Sequence, residues 1–330
     1  MARSLLDDEQ YRLQFAGHET FPLRYGWLNK AFDEVSRVAE DPEGDTNAIF
    51  NDDASIALFG VGKNMVVSMR HWALAAGVIE VGEDESRKST RLEPTDFGDL
   101  LLRDGDPYLE HPASLWLIHW NLASRPGRAT TWYWAFNELS EPSIDRELLT
   151  ERLMRCIAAL REAGRMKEFR VTEATVKRDV ECFVRTYLPR PISGRSVQED
   201  SLESPLSELG LLQPVGVGNA FRFRRGPKPT LPDEVFIHAL LTFWGKLYPT
   251  RREFSVEAIT HEPGGPGRVF LMDEDSVAER LAAAADLTRG AIRWDESTGM
   301  RQVYAHDLKG IKSFELLKSM YRRTSRALAA

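Results

Sequence analysis

The chain has 330 residues, 42% of them hydrophobic and 28% charged, the balance of an ordinary soluble globular protein with room for two or three domains. Its formal net charge of −7 excludes a protein that coats nucleic acid by charge alone, so any DNA contact must use local basic patches. The two cysteines, Cys156 and Cys182, exclude a disulfide framework and a four-cysteine zinc site and fit buried thiols in a reducing cytoplasm.

Met1 to Gln14 is polar and charged, a partly ordered leader rather than a secretory signal. No stretch approaches the roughly 20 apolar residues of a membrane span. The expected location is the cytoplasm, with no membrane contact. Residues 15–35, FAGHETFPLRYGWLNKAFDEV, are punctuated by Pro22 and Gly26. Trp27, Ala31, Phe32 and Val35 recur at helical spacing and predict a helix from about Leu23 to Val38. His18 and Glu19 fall in the loop before it. With Arg24 they form either a polar site or a hydrogen-bond network that anchors the loop.

Residues 41–53 read as a loop, and Asp52 or Asp53 can cap a short helix through Ile56 to Phe59. GVGK at 60–63 suggests a phosphate loop only superficially. That pattern needs Gly at 57, where Ala57 stands, and Ser or Thr at 64, where Asn64 stands. A Gly-containing turn between two helices fits better. The second helix places Met65, Met69, Trp72, Ala73 and Ala76 on one face, and Gly77 ends it. Its most exposed side chains are expected to be Lys63, Asn64, Ser68, Arg70 and His71, which suit a DNA groove. Short strands, Val78 to Val81 and Thr90 to Leu92, then flank a tip carrying Arg87 and Lys88, and Thr95 caps the helix that follows. This order is that of a winged helix-turn-helix. Its basic tip suits a phosphate backbone, although Glu83, Asp84 and Glu85 weaken it, and protein contact is the alternative.

Leu115, Trp116, Ile118, His119 and Leu122 mark one strongly apolar helix. Trp132, Trp134, Ala135, Phe136 and Leu139, after Thr130 or Thr131, mark another. This Trp-rich pair is expected to be core, with base stacking on Trp132, Tyr133 or Trp134 as the alternative. Asp106, Glu110 and His111 crowd a Pro-bounded loop just before. Two carboxylates near a histidine could hold Mg²⁺ or Mn²⁺, with Asp106 and Glu110 as ligands, or simply be solvated.

Residues 143–187 read as a second helix-turn-helix. Leu149, Leu153, Ile157 and Leu160 stripe its first helix, and Gly164 stops it. Thr172 begins EATVKRDVECFVRTY, with Val176, Val180, Phe183, Val184 and Tyr187 inward and Lys177, Arg178 and Arg185 outward. VTEATVKRDV resembles the recognition helix of small bacterial repressor-type domains. Pro189 to Ser204 is the linker candidate. A short helix and a hairpin turning at Gly218-Asn219 follow. Arg222, Arg224, Arg225 and Lys228, interleaved with Phe221 and Phe223, make the densest basic patch, read as a phosphate-binding strand or an exposed sheet face. Leu231 to Lys246 is a helix. Beyond it come helix, Gly/Pro loop, strand, helix and a hairpin turning at Asp295 to Gly299, another winged-helix-like order. Lys309 to Arg326 closes the chain as a basic amphipathic helix. The expected fold is mainly α with small β hairpins, of α+β class. It consists of tandem winged helix-turn-helix modules around a Trp-rich helical core, divided at 1–140, 141–190 and 191–330.

FAGHETFPLRYGWL at 15–28, GVGKNMVVSMRHWA at 60–73, and GDPYLEHPASLWLIHWNLAS with RATTWYWAFNE between 105 and 138 resemble a bacterial family of proteins of unknown function. That family, SspB-like, accompanies DNA phosphorothioation genes of the SspABCD kind. The resemblance is close over the first 140 residues and looser beyond. It implies a component of an antiphage DNA phosphorothioation system that binds double-stranded DNA and nicks it for sulfur insertion. The implied partners are a cysteine desulfurase and an ATP-dependent sulfur-transfer protein, with no nucleotide or organic cofactor. It does not indicate which residues cut.

A nick requires a general base or metal-bound water and a positive group for the developing charge. The candidates in this chain are His18, Glu19, Glu110 and His111 as catalytic groups, Asp106 and Glu110 as ligands, and Arg24 and Lys63 as phosphate clamps. No nuclease signature of the PD-(D/E)xK or HNH kind is evident. A non-catalytic DNA reader that recruits sulfur-transfer enzymes and a transcriptional regulator are the alternatives.

Overall fold

The computed structural model describes residues 4–51, 53–84, 89–141, 143–166, 171–189, 203–216, 219–297, 300–306, 308 and 310–328. Helix α1 (Trp27–Ala39) buries Trp27, Leu28, Ala31, Phe32 and Val35 on one face, the spacing expected of an amphipathic helix. Helices α2 (Ala54–Phe59) and α3 (Lys63–Ala76) are joined by a turn in which Gly60 takes a left-handed φ of 66°, open to glycine without steric penalty. Asp53, expected as a cap, makes no side-chain cap bond to α2. Strands β1 (Ile79–Asp84) and β2 (Ser89–Pro94) form an antiparallel pair with Ile79 opposite Pro94. Thr95 Oγ1 accepts from Gly98 N at 2.9 Å and so caps α4 (Asp96–Gly98). The predicted tip residues Arg87 and Lys88 lie outside the described residues, as do Asp52, Gly218 and most of the linker candidate.

Helices α5 (Pro112–Ala123) and α6 (Thr130–Asn137) are apolar nearly all round and buried nearly all round, as such helices must be in water. Trp116, Trp132, Tyr133 and Phe136 are among the largest fully buried side chains. The aromatic run is core, not a stacking platform. Helices α7 (Arg146–Glu162) and α8 (Glu173–Tyr187) pack on each other, capped by Asp145 and Thr172 respectively. Cys182 is buried and Cys156 half-buried, both as free thiols.

The hairpin β3 (Leu212–Pro214) and β4 (Phe221–Phe223) is bolted to the start of α7. Ile144 and Phe221 exchange backbone bonds of 2.9 and 2.8 Å. Helix α9 (Asp233–Leu247) leads into β5 (Glu253–Ser255), α10 (Val256–His261), α11 (Pro266–Val269), α12 (Glu274–Ala282) and α13 (Ala284–Leu287). Strands β6 (Ile292–Ser297) and β7 (Met300–Ala305) complete an antiparallel sheet of order β5-β7-β6, and α14 (Ser313–Leu328) packs on α9. The fold is α+β, as expected.

One hydrophobic cluster runs from Leu5 to Tyr321. Polar pins cross it. Buried His119 of α5 donates through Nε2 to the Val269 carbonyl at 2.9 Å, so its Nδ1 accepts from the Tyr187 hydroxyl at 2.8 Å. Burial lowers its pKa to about 4 and keeps the ring neutral. Asn137 of α6 donates to the Ala123 carbonyl and accepts from Gly264 N at 2.7 Å.

Candidate functional site

The N-terminal segment lies across α3 and decides which face of that helix is free. The Phe21 carbonyl accepts from Trp72 Nε1 at 3.0 Å and from Ser68 Oγ at 3.4 Å. Ser68 is therefore 0% and His71 7% exposed, against the expectation that both face outward. The free face of α3 carries Lys63, Asn64 and Val67, with Arg70 half-buried at its edge. A helical pattern alone has no means of showing that a distant loop caps a polar stripe.

His18 sits beneath this segment, 3% exposed. Its Nε2 donates to Asp179 Oδ1 at 2.6 Å, and the other Asp179 oxygen accepts from the Thr131 hydroxyl. The ring also lies 5.7 Å from His71, 6.3 Å from Trp72 and 6.0 Å from Trp132, centroid to centroid. Burial opposes charge on His18, yet Cys182 and Asp179 together outweigh it and raise the pKa above the usual histidine value. Burial also raises Asp179, while its hydrogen bond from His18 acts the other way. His18 Nδ1 accepts from Thr20 N at 3.2 Å, and with Nε2 on Asp179 the sealed imidazole is a strut that ties the loop before α1 to α8, with Trp132 of α6 beside it. It does not touch solvent as a general base would.

Glu19, by contrast, is exposed. Glu19 and Thr20 take φ values of 46° and 69°, a left-handed pair of non-glycine residues held there by the surrounding bonds. Arg24 is not an open phosphate clamp. It is 6% exposed, and its guanidinium lies 5.6 Å from the Phe21 ring centroid and 5.5 Å from that of Trp27.

Asp106, Glu110 and His111 occupy a second place. Asp106 Oδ1 accepts from Glu110 N at 3.0 Å, and Oδ2 accepts from His111 N at 2.8 Å and Ser114 Oγ at 2.6 Å. His111 Nδ1 accepts from Ala113 N at 3.0 Å as the cap of α5, and its Nε2 meets Thr324 Oγ1 of α14 at 3.2 Å. Ser114 Oγ also meets Tyr321 OH at 2.9 Å. Both Asp106 oxygens are thus engaged by protein donors, and Glu110 is exposed. The loop starts α5 and docks α14. Among the described residues no group of three or more His, Cys, Asp or Glu is placed to hold a metal ion.

Of the basic strand, Arg222, Arg224 and Arg225 are exposed. Lys228 is not part of that patch. It is 4% exposed, and its ammonium donates to the carbonyls of Arg224, Gly226 and Leu271 at 3.0, 2.7 and 3.0 Å. Burial, with Arg224 nearby, lowers its pKa to about 8. On α8, Lys177 is exposed and paired with Glu173 one turn earlier at 2.7 Å, and Arg178 is exposed.

The sequence reading missed Asp179, Thr131, Arg12 and Arg128. Asp179 was detectable, because a carboxylate inside the inward stripe Val176, Val180 and Phe183 requires a buried partner. The approach of Arg12 and Arg128 to Arg70 had no local signal.

A family model described as a protein of unknown function (DUF4007) matches residues 15–321. The chain belongs to this family. A magnesium ion-bound SspB crystal structure is 30% identical with a TM-score of 0.80, covering 97% of this chain and 91% of that one. A second SspB crystal structure is 29% identical with a TM-score of 0.76, covering 98% and 97%. No curated protein matches. The DUF4007 chain is thus SspB-like along its length. The magnesium belongs to that other SspB structure. Asp106 Oδ2 is filled by two protein donors, whereas Oδ1 accepts a single bond and Glu110 is exposed beside it.

Proposed function

We propose that this SspB-like chain binds double-stranded DNA within a DNA phosphorothioation system and nicks one strand to admit sulfur. The observation that carries the reading is the likeness to both SspB structures over nearly the whole of each chain. Exposed Lys63 and Asn64 on α3, Lys177 and Arg178 on α8, and Arg222, Arg224 and Arg225 around β4 support it, since they give an acidic body the local positive points that DNA requires. The order α2, turn, α3, β1, β2 fits a winged helix-turn-helix with the Lys63–Asn64–Val67 face toward a groove. The order β5, α10, α12, β6, β7 fits a second. Of the proposed cutting groups, Glu19 and Glu110 are exposed and reach solvent, while His18 and His111 position the loops that carry them. The cysteine desulfurase and the sulfur-transfer protein would act on the opened strand, in the cytoplasm. Among the described residues no helix is long and apolar enough to cross a membrane.

Sealed His18, together with the lack of a three-donor group among the described residues, favours a second reading, a non-catalytic reader that brings the sulfur-transfer enzymes to DNA. Both readings require duplex binding. Fluorescence anisotropy with a labelled duplex is expected to show binding that weakens steeply with salt. A flat trace at low salt would contradict both. Strand cutting of a plasmid separates them.

A further inference from the structure

A cavity of about 710 Å³ opens between residues 10–17, α3, the Gly127–Arg128 loop and the first turn of α8. Its wall carries Arg12, Arg70 and Arg128, together with Gln14, Gly17 and Thr175. The arginines come from three separate parts of the chain and converge on one space. Among the described residues no carboxylate acts on Arg70 or Arg128, and Arg70 Nε is buried with no hydrogen-bond partner. Arg128 keeps part of its surface open to solvent, and its partial desolvation, with like-charge repulsion from Arg70 and Arg12, lowers its pKa. Arg70 and Arg128 thus face each other without a compensating carboxylate among the described residues, and an anion between them would relieve their repulsion.

Behind this wall lies His71, whose Nε2 is buried without a partner and whose Nδ1 is 3.4 Å from Gln14 Nε2. Burial lowers its pKa to about 3, and His18, Arg128 and Arg70 lower it further. The ring is neutral and adds no charge to balance. Gly17 has φ 123°, and a Cβ there would stand 2.6 Å from both Gln14 Nε2 and His71 Nδ1, so a bare backbone is required at this edge.

We propose that this cavity binds a phosphate group, supplied by the backbone of DNA held across the start of α8 and the edge of α3. Guanidiniums suit this because their planar forks pair with two phosphate oxygens at once. The proposal rests on the DNA-binding reading and names the phosphate contact that reading lacks.

The test compares the wild-type chain with Arg70→Gln, Arg128→Gln, the double variant and Arg70→Lys, each checked for folding by thermal melt. Binding of a labelled duplex is followed by anisotropy across salt concentrations, and the melts are repeated with inorganic phosphate at constant ionic strength. The expected double variant binds DNA roughly 10-fold or more weakly, with a shallower salt slope by about 1 to 2. It also loses the stabilisation that phosphate gives the wild type, and Arg70→Lys recovers part of both. Duplex binding and salt slope unchanged in a folded double variant would overturn the site while leaving the DNA reading intact. Phosphate stabilisation without any duplex binding by the wild type would overturn DNA as the source, and the DNA reading with it.

Discussion

Single side chains in this chain mostly hold loops to helices, and two measurements follow from that. The His18–Asp179 pair is buried on both sides, with Thr131 completing the carboxylate. Asp179→Ala leaves an imidazole in a space without its acceptor, and loss of one partner of such a pair costs about 3–5 kcal/mol. Urea unfolding should show that loss, and a drop near zero would mean the pair is open to water. The second measurement concerns acid. His71, His119 and His238 are neutral inside the fold, with pKa values lowered by burial to about 3, 4 and 4. Unfolded, they titrate near the ordinary value of about 6.5. Their folded pKa lies below the unfolded one, so between the two the unfolded chain binds more protons. The stability they support is full above about pH 6.5 and is lost as pH falls toward 4. Each histidine contributes a slope of up to about 1.4 kcal/mol per pH unit in that window. Against burial, Cys182 and Asp179 shift the pKa of His18 the other way, upward, so its contribution falls on the alkaline side of about 6.5 and does not cancel the slope. Urea midpoints should fall between pH 7 and 5, and constant midpoints would contradict the burial of three neutral rings.

At the scale of elements, the sequence was most readable where local physics decides. Gly60 and Gly77 end α2 and α3, Thr95 and Thr172 cap α4 and α8, and the apolar period of α1 gives its buried face. Faces were less readable than boundaries. The helical pattern puts Ser68 and His71 outward, because the groups that cover them, Phe21 and Gln14, are 47 and 57 residues away in sequence. Lys228 was read as surface charge, yet three carbonyls from two loops surround it. The Asp106 loop likewise depends on distant partners, since Asp106 bonds to the start of α5 and His111 and Ser114 meet Thr324 and Tyr321 of α14. Asp106→Ala should therefore destabilise the fold by about 1–3 kcal/mol by leaving buried donors unpaired. Hydrogen exchange should quicken in α14, while any Mg²⁺ dependence of DNA cutting stays unchanged. A loss of Mg²⁺ dependence with α14 still protected would restore Asp106 as a ligand.

At the scale of the whole molecule, the modules that sequence suggested share one core, and buried polar residues tie them. His119 joins α5 to Tyr187 of α8 and Val269 of α11. His119→Phe strands a buried hydroxyl and a buried carbonyl, at about 1–3 kcal/mol each. A single unfolding transition shifted to lower denaturant is expected, and the appearance of two separate transitions would show instead that the parts fold independently. Family membership was legible early because long motifs around His18, Lys63 and Glu110 carry it. The cutting group was not, because the residues in those motifs serve the fold as well.

If this SspB-like chain nicks the DNA it is proposed to hold, conversion of supercoiled plasmid by the purified protein with Mg²⁺ or Mn²⁺, with chelator as the control, reports it. The expected product is open circle that grows with time, disappears with chelator and falls at least about tenfold, or roughly 1.4 kcal/mol in barrier, in Glu19→Gln or Glu110→Gln. Plasmid that stays closed while the protein shifts it on a gel would contradict the cutting claim and leave the reader of DNA.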